Sequence, residues 1–142
     1  MDDLKKAKNI LQIKELALVI VKKGHIIFET RETGIKGFIE AIEKNGNSLE
    51  ESSIADKVVG KAVALLSIYA KVSAVYAKIL SKDAMSLLKK HNINHKWSKI
   101  VEEILDFDKK HICPFEIKAK KIIDPKTAYL ELKNLLKLMN YK

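Results

Sequence analysis

Residues 58–70 read VVGKAVALLSIYA, and they say more about the fold than any other part of the chain. The stretch is apolar on every side of a helix and carries one charge, at Lys61. Such a helix is buried, and the small side chains at Gly60, Ala62 and Ala64 allow it to pack closely against a sheet. We therefore predict a buried helix from Val58 to Ala70, packed against a β-sheet.

Strand patterns alternate with helix patterns around this helix. Leu16–Val21 is an unbroken apolar run, which is typical of a strand covered on both faces. A short turn leads from it to His25–Thr30, so the two strands predict a hairpin. Two further strands are predicted, at Val72–Leu80 and His95–Val101. The fold class is therefore α/β: a three-layer α/β/α arrangement with a mixed sheet of four to five strands.

The chain has the length of one domain, which we predict to span residues 1–142. Both ends have helical periodicity. Residues 1–14 predict an N-terminal helix, and residues 124–142 predict a C-terminal helix that begins at Asp124-Pro125. With 47% hydrophobic residues, the chain can form a core without disulfides or metal ions.

The net charge of +9 raises the question of nucleic-acid binding. Arg31 is the only arginine among the 27 basic residues, whereas arginine is favoured for bidentate contacts with phosphates and bases. The aromatic residues are not interleaved with the lysines as a platform for base stacking. We therefore expect no specific nucleic-acid partner and interpret the lysines as solvated surface.

The sequence also lacks the features of a membrane or secreted protein. No apolar run has the length of a membrane-spanning helix, so we expect no membrane partner. The first residues lack the apolar stretch of a signal peptide. Cys113 is the single cysteine, so no intramolecular disulfide can form. Together these features predict a cytoplasmic protein.

Two strings of residues carry a resemblance to a known family. Asp56-Lys57-Val58-Val59-Gly60-Lys61-Ala62 and, later, Cys113-Pro114-Phe115-Glu116 resemble motifs of the domain-of-unknown-function family numbered 1893. The resemblance covers the chain from about Leu16 to Glu116. It implies a cytidine-deaminase-like fold.

The resemblance also implies which chemistry is missing. Zinc-dependent deaminases carry a His or Cys and a catalytic Glu at the start of the buried helix, and Pro-Cys-x-x-Cys at the start of the helix after the next strand. The corresponding strings here are Asp56-Lys57-Val58 and Leu80-Ser81-Lys82-Asp83-Ala84. Serine and alanine stand in place of the two thiolates that zinc needs. We expect no metal site, no cofactor and no zinc-dependent deamination.

The predicted ligand-binding residues are Asp56, Lys57, Lys61, Ser81 and Glu116. We predict that Asp56 caps the buried helix and that Lys57 and Lys61 lie in its first turns. Buried lysines need a carboxylate, solvent or an anion as a partner. Ser81 starts a neighbouring helix, so two positive helix ends would meet at one cleft. Two readings stay open: a pocket for a small anionic ligand, and an internal ion pair between a lysine and Glu116.

Cys113 and Glu116 are the candidates for a catalytic role. A helix N-terminus lowers the pKa of a cysteine and so favours a nucleophile. A free cysteine is also commonly a small buried hydrophobe, and the sequence places no histidine clearly as its base. Glu116 is a candidate partner of Lys57 or Lys61, or a ligand contact.

Three functions fit these observations. The first is a domain that binds a small anionic or nucleotide-like ligand in the former active-site cleft. The alternative is a metal-free enzyme that uses Lys57, Glu116 or Cys113. The third is a homo-oligomeric assembly module, because the last helix has an apolar stripe formed by Tyr129, Leu132, Leu135, Leu136 and Met139.

Overall fold

The fold is built on one mixed sheet in the computed structural model, which describes residues 2–106 and 108–140. The five strands are β1 (Leu18–Lys22), β2 (His25–Thr30), β3 (Ser53–Val59), β4 (Ala74–Ser81) and β5 (Asn94–Val101). Their order across the sheet is β2-β1-β3-β4-β5. β1 is antiparallel to β2 and β3, whereas β3, β4 and β5 are parallel. The predicted α/β class with a mixed sheet is confirmed.

The helices are α1 (Asp3–Ile13), α2 (Ile35–Asn45), α3 (Lys61–Tyr69), α4 (Lys82–Lys90), α5 (Pro114–Ala119) and α6 (Pro125–Asn140), with a 3₁₀ turn at Gly46–Leu49. The two predicted terminal helices are present as α1 and α6. Met1, Tyr141 and Lys142, which the predicted helices also included, lie outside the described residues. Among the described residues, no helix is long and apolar enough to span a membrane.

The sheet separates two apolar clusters, which gives the three predicted layers. On one face α1 is the helix that packs against the sheet within the described part of the chain, and its Leu4 and Leu11 lie in a cluster with Val19 and Tyr76 of the sheet. On the other face the remaining helices enclose a larger core that includes Phe38, Leu65, Leu88 and Leu132. Most of α3 is buried there, as its apolar composition predicts.

The predicted start of the buried helix is wrong. Asp56, Lys57 and Val58 belong to β3, and α3 begins only at Lys61. Asp56 pairs with Leu18 of β1 on one side and with Ala77 of β4 on the other. Pairing on both sides satisfies the backbone of this segment as a strand, so Asp56 is not a helix cap.

The predicted cap at the next helix is present. The Ser81 hydroxyl accepts a hydrogen bond from the backbone N–H of Ala84 at 3.1 Å, at the start of α4. α3 and α4 follow the parallel strands β3 and β4 and begin at the same edge of the sheet. Ligand sites of α/β proteins are usually at this edge.

Candidate functional site

A cavity of about 120 Å³ lies at the end of β3, where three helices begin. The residues that precede α2, α3 and α5 all line it: Gly34, Gly60 and Cys113. The remaining lining combines a few polar groups with apolar side chains: Ala17, Thr33, Ile35, Asp56, Lys57, Val58, Val63, Ile104, Phe115 and Glu116. The position fits the general rule for ligand sites in this fold class.

Glu116 lines the cavity and binds the N-terminus of α3. Its Oε1 accepts a hydrogen bond from the backbone N–H of Lys61 at 2.8 Å, and its Oε2 accepts one from Ala62 at 2.9 Å. The first N–H groups of a helix have no acceptor within that helix. The buried carboxylate therefore satisfies two such donors and lies at the positive end of the helix dipole.

The pKa of Glu116 reflects this environment. Burial raises the pKa, and the hydrogen bonds from Ala62 and Lys61 partly offset that effect because they stabilise the charged form. Both carboxylate oxygens are engaged by backbone donors. This arrangement gives Glu116 a structural function and leaves little of it free to contact a ligand.

Gly60 makes the Glu116 contact sterically feasible. A Cβ atom added at Gly60 would lie within 2.6 Å of the Glu116 carboxylate carbon and both its oxygens. Real Cβ atoms essentially never come so close to another heavy atom. The two strings that carry the family resemblance therefore meet in space, since one supplies the glycine and the other the carboxylate.

One of the two alternatives left open by the sequence, an ion pair between Glu116 and a lysine, is not what the structure places at Glu116. The Lys61 ammonium group donates to the backbone carbonyl of Lys120 at 3.1 Å, on the protein surface. The ion pairs found among residues 2–106 and 108–140 include none between Glu116 and Lys57 or Lys61. Glu116 binds the backbone of Lys61 and not its side chain.

Among the polar groups that line the cavity, Asp56 has the pKa that lies furthest from its ordinary value. It is 8% exposed, and its Oδ1 accepts a hydrogen bond from the backbone N–H of Val58 at 3.1 Å. Burial raises the pKa of Asp56 to about 7, although backbone hydrogen bonds from Val58 and Lys57 act in the opposite direction. Near neutral pH the side chain is therefore present both as a carboxylate and as a carboxylic acid.

Cys113 lines the same cavity and precedes α5. Burial raises the pKa of its thiol, and the nearby carboxylates of Glu116 and Asp106 add to this effect. An activated nucleophilic cysteine has a lowered pKa. The environment of Cys113 therefore resembles that of a structural, half-buried thiol.

The other predicted ligand residues do not all meet at the cavity. Asp56, Lys57 and Glu116 line it, whereas Lys61 and Ser81 are not among its lining residues. The Ser81 hydroxyl is buried and engaged in capping α4. Lys57 also lines a second depression, on the α1 face of the sheet, because side chains alternate between the two faces along a strand.

The donor set at the two helix starts does not fit zinc. Gly60, Lys61 and Ala62 at the start of α3 provide no thiolate, imidazole or free carboxylate. At the start of α4, Ser81 uses its hydroxyl as a cap and Ala84 has no donor atom. The part of the chain that the structure describes contains no cluster of three or more His, Cys, Asp or Glu residues suited to a metal ion. The residues therefore do not support a zinc centre of the deaminase kind.

The sequence analysis does not identify the role of Gly60, which leaves room for the Glu116 carboxylate. Gly60 lies between a β-branched pair and the helix, and a glycine in such a position marks a close approach of another group. That signal was present in the sequence. The partner, Glu116, lies more than fifty residues away along the chain, so no local pattern identifies it.

Comparisons with known proteins agree with this architecture. The family model described as "TM1506: Domain of unknown function (DUF1893)" matches residues 6–136. A DUF1893 family protein from Thermotoga maritima has a similar crystal structure, with a TM-score of 0.84 and 30% sequence identity over 93% of this chain and 88% of that one. Comparison with curated proteins gave no match.

More distant solved structures share the fold. A dCMP deaminase from the cyanophage S-TIM5 is similar with a TM-score of 0.50 and 15% identity, over 70% of this chain and 94% of that one. RibD from Acinetobacter baumannii is similar with a TM-score of 0.52 and 18% identity, over 68% of this chain and 36% of that one. These likenesses show a deaminase-type fold and no more.

Proposed function

This chain belongs to the DUF1893 family, and we propose that it is a metal-free binding domain whose cavity takes a small ligand that donates hydrogen bonds to Asp56. The observation that carries the proposal is a carboxyl group with a pKa of about 7, buried in a largely apolar cavity. Burying such a group without a role costs stability, and perturbed carboxyl groups in clefts are concentrated at functional sites.

The size of the cavity limits the ligand. Pockets that enclose a whole drug-sized molecule have volumes of about 300–1,000 Å³, whereas this cavity has about 120 Å³. It therefore has room for one small ring or head group. The remainder of a larger ligand would extend past Thr33, Gly34 and Val58, which are exposed at its rim.

The charges of the cavity define the chemical class of that group. Two carboxyl groups line it, so an anion would be repelled unless both were protonated. An amino or amide N–H is the natural partner of Asp56, and the side chains of Ile35, Val63 and Phe115 suit an apolar ring. The edge of a nucleobase combines these two properties. The proposal thus keeps the nucleotide-like ligand expected from the sequence and moves the anionic part of it away from this cavity.

The proposal can be tested with cytosine and uracil, which differ in whether an amino or a carbonyl group is present at one ring position. We expect cytosine to bind more tightly by about tenfold, as one hydrogen bond to a charged acceptor would give. Titration calorimetry at neutral pH measures both affinities. The preference should largely disappear in Asp56→Asn, because the amide of that variant can donate as well as accept.

Two results would contradict the proposal. One is a wild-type protein that binds neither base, and also carries no co-purified small molecule in native mass spectrometry. The other is a cytosine preference that survives unchanged in Asp56→Asn. In the second case binding would occur elsewhere on the protein.

A metal-free enzyme remains the second candidate, and Asp56 is also the observation that favours it. A general acid or base works best when its pKa lies near the working pH, and Asp56 meets this condition. Among the residues expected from the sequence, Glu116 has both oxygens engaged and Cys113 has a raised pKa. Turnover of any bound compound, lost in Asp56→Asn with binding retained, would support this candidate.

Self-assembly stays a proposal that rests on α6. Leu132 of its apolar stripe is buried against the core, whereas Leu130, Leu138 and Met139 are exposed. Sedimentation analysis over a range of concentrations would test it, and a monomer at all of them would contradict it.

A further inference from the structure

The α1 face of the sheet has a depression that the cavity at Asp56 does not explain. It has a volume of about 330 Å³ and is lined by Leu11, Gln12, Glu15, Lys57, Tyr76, Lys78 and Ser98. α1 covers part of this face, and its buried side chains cluster with β1, β3 and the first half of β4. The sheet is open beyond that point, where Lys78 and Ser98 are exposed.

Strand register brings Lys57, Lys78 and Ser98 into one row. Asp56 pairs with Ala77 and Val58 with Ile79, so Lys57 and Lys78 are neighbours on β3 and β4. Lys78 is in turn the neighbour of Ser98, because Ala77 pairs with Trp97 and Ile79 with Lys99. Neighbouring residues of paired strands lie about 5 Å apart and point to the same face.

The two lysines of this row lack an acidic partner. Within the described ranges 2–106 and 108–140, no carboxylate lies within 4.0 Å of the ammonium group of Lys57 or Lys78. Glu15 lines the depression, but the ion pairs among the described residues include none between Glu15 and either lysine. Like charges side by side on adjacent strands destabilise a sheet. An anion between them would remove this repulsion.

A pair of hydroxyl groups adds a further donor. The hydroxyl groups of Tyr76 and Ser98, which both line the depression, are hydrogen-bonded to each other. Each hydroxyl carries one proton, and their mutual bond uses one of the two. The second proton is free to be donated to a bound group.

We propose that this depression is a binding site for a small phosphate-bearing compound. The phosphate oxygens accept hydrogen bonds from the ammonium groups of Lys57 and Lys78 and from the Tyr76–Ser98 hydroxyl pair. A volume of about 330 Å³ exceeds what a phosphate group needs and reaches the lower range of small-molecule pockets. Gln12 and Glu15 at the other side of the depression accept from hydroxyl or amino groups of the organic part.

The test is a titration of isotope-labelled protein with inorganic phosphate and with ribose phosphate, followed by NMR at constant ionic strength. We expect saturable shifts that are largest at the amides of Gln12, Lys78 and Ser98. Lys78→Gln should weaken phosphate binding about tenfold, the effect of one charge-assisted hydrogen bond. Lys78 is exposed, so this variant is expected to fold normally.

Lys99→Gln is the matched control, because Lys99 is an exposed lysine of β5 that pairs with Ile79 and so points to the opposite face. It removes the same charge from the same region of the sheet and should change the affinity by less than about twofold. Ribose phosphate should bind more tightly than phosphate alone, because its organic part adds contacts. An equal loss of affinity in both variants would show that the basic protein attracts phosphate in general and does not bind it at this depression. Shifts spread over the whole lysine surface without saturation would likewise overturn the proposal.

Discussion

The carboxylate of Glu116 lies directly against the α-carbon of Gly60 and accepts hydrogen bonds from the two backbone N–H groups that follow this glycine. A side chain from α5 thus occupies the N-terminus of the buried helix α3. In proteins that bind anions at such a position, a ligand takes this place. Here the chain supplies its own carboxylate, and the space that remains beside it is the cavity at Asp56.

Gly60→Ala should destabilise the protein by about 1–3 kcal/mol, because the new methyl group would overlap with the Glu116 carboxylate. Urea denaturation measures the change. The control is the double variant Gly60→Ala with Glu116→Ala, in which the overlap is absent. Its loss of stability should be smaller than the sum of the two single losses by at least about 0.5 kcal/mol. Additive losses would show that the contact is not the reason for the glycine.

Glu116→Gln should destabilise the protein by about 1–3 kcal/mol. The amide keeps one acceptor, but its NH₂ group would face a backbone N–H of Lys61 or Ala62, where two donors cannot pair. Glu103→Gln is a suitable control, because Glu103 forms an exposed ion pair with Lys120 at 2.9 Å and such pairs contribute at most about 1 kcal/mol. Equal effects of the two substitutions would contradict the capping role of Glu116.

Asp56 should make the protein less stable as the pH rises from about 4 to about 7. Its pKa is about 7 in the folded protein and returns to the ordinary value of 3.8 on unfolding. Between these values the folded state holds a proton that the unfolded state has released, so raising the pH favours unfolding. The largest effect is about 4 kcal/mol.

Asp56→Asn separates this contribution from that of other groups. The variant should match the wild type near pH 4 and exceed its stability above pH 7, because the amide does not ionise. Urea denaturation at several pH values measures both profiles. The slope that remains in the variant includes the contribution of the other buried carboxyl group, Glu116, whose pKa burial also raises. Parallel profiles would show that Asp56 ionises normally.

Cys113 should react slowly with iodoacetamide in the folded protein, because burial raises the pKa of its thiol and restricts access. The chain has one cysteine, so mass spectrometry follows the reaction without ambiguity. The same protein in denaturant is the control and should react faster at every pH between about 7 and 9. Fast alkylation that is already constant at neutral pH would instead indicate an activated nucleophile.

Purified protein should contain well below one zinc ion per chain. The prediction rests on the donor atoms at the two helix starts, where Ser81 caps α4 and Glu116 already binds two backbone N–H groups. Elemental analysis of protein prepared without chelator checks it. A stoichiometric, tightly held zinc ion would contradict it.

Local sequence patterns predict the elements that have a clear hydrophobic period or a helix-capping residue. The hairpin of β1 and β2, the strands β4 and β5 and the cap at Ser81 all follow from short runs of residues. The same patterns determined the fold class, and the strings around Gly60 and Glu116 determined the family. These features are local because one segment alone contains the whole signal.

β3 was not predicted because its polar residues resemble a helix cap. In Ser53–Val59, Asp56 and Lys57 interrupt the apolar run. A strand paired on both sides accommodates these two polar side chains because a cavity or a depression is present on each face of the sheet at this position. The side chain of Asp56 lines the cavity on one face of the sheet, and Lys57 reaches the depression on the other face. Neither location follows from the sequence.

The sequence by itself therefore determined the alternation of strands and helices, the family and the missing zinc ligands. Only the tertiary structure decided where α3 begins, that Glu116 binds the backbone of α3, and that Lys57 also reaches the depression on the α1 face of the sheet. The physical reason is that the backbone groups at these positions are satisfied by strands and side chains that are distant in the sequence. A local pattern does not contain such partners. Glu116 and Ala62 are 54 residues apart in the chain and 2.9 Å apart in the fold.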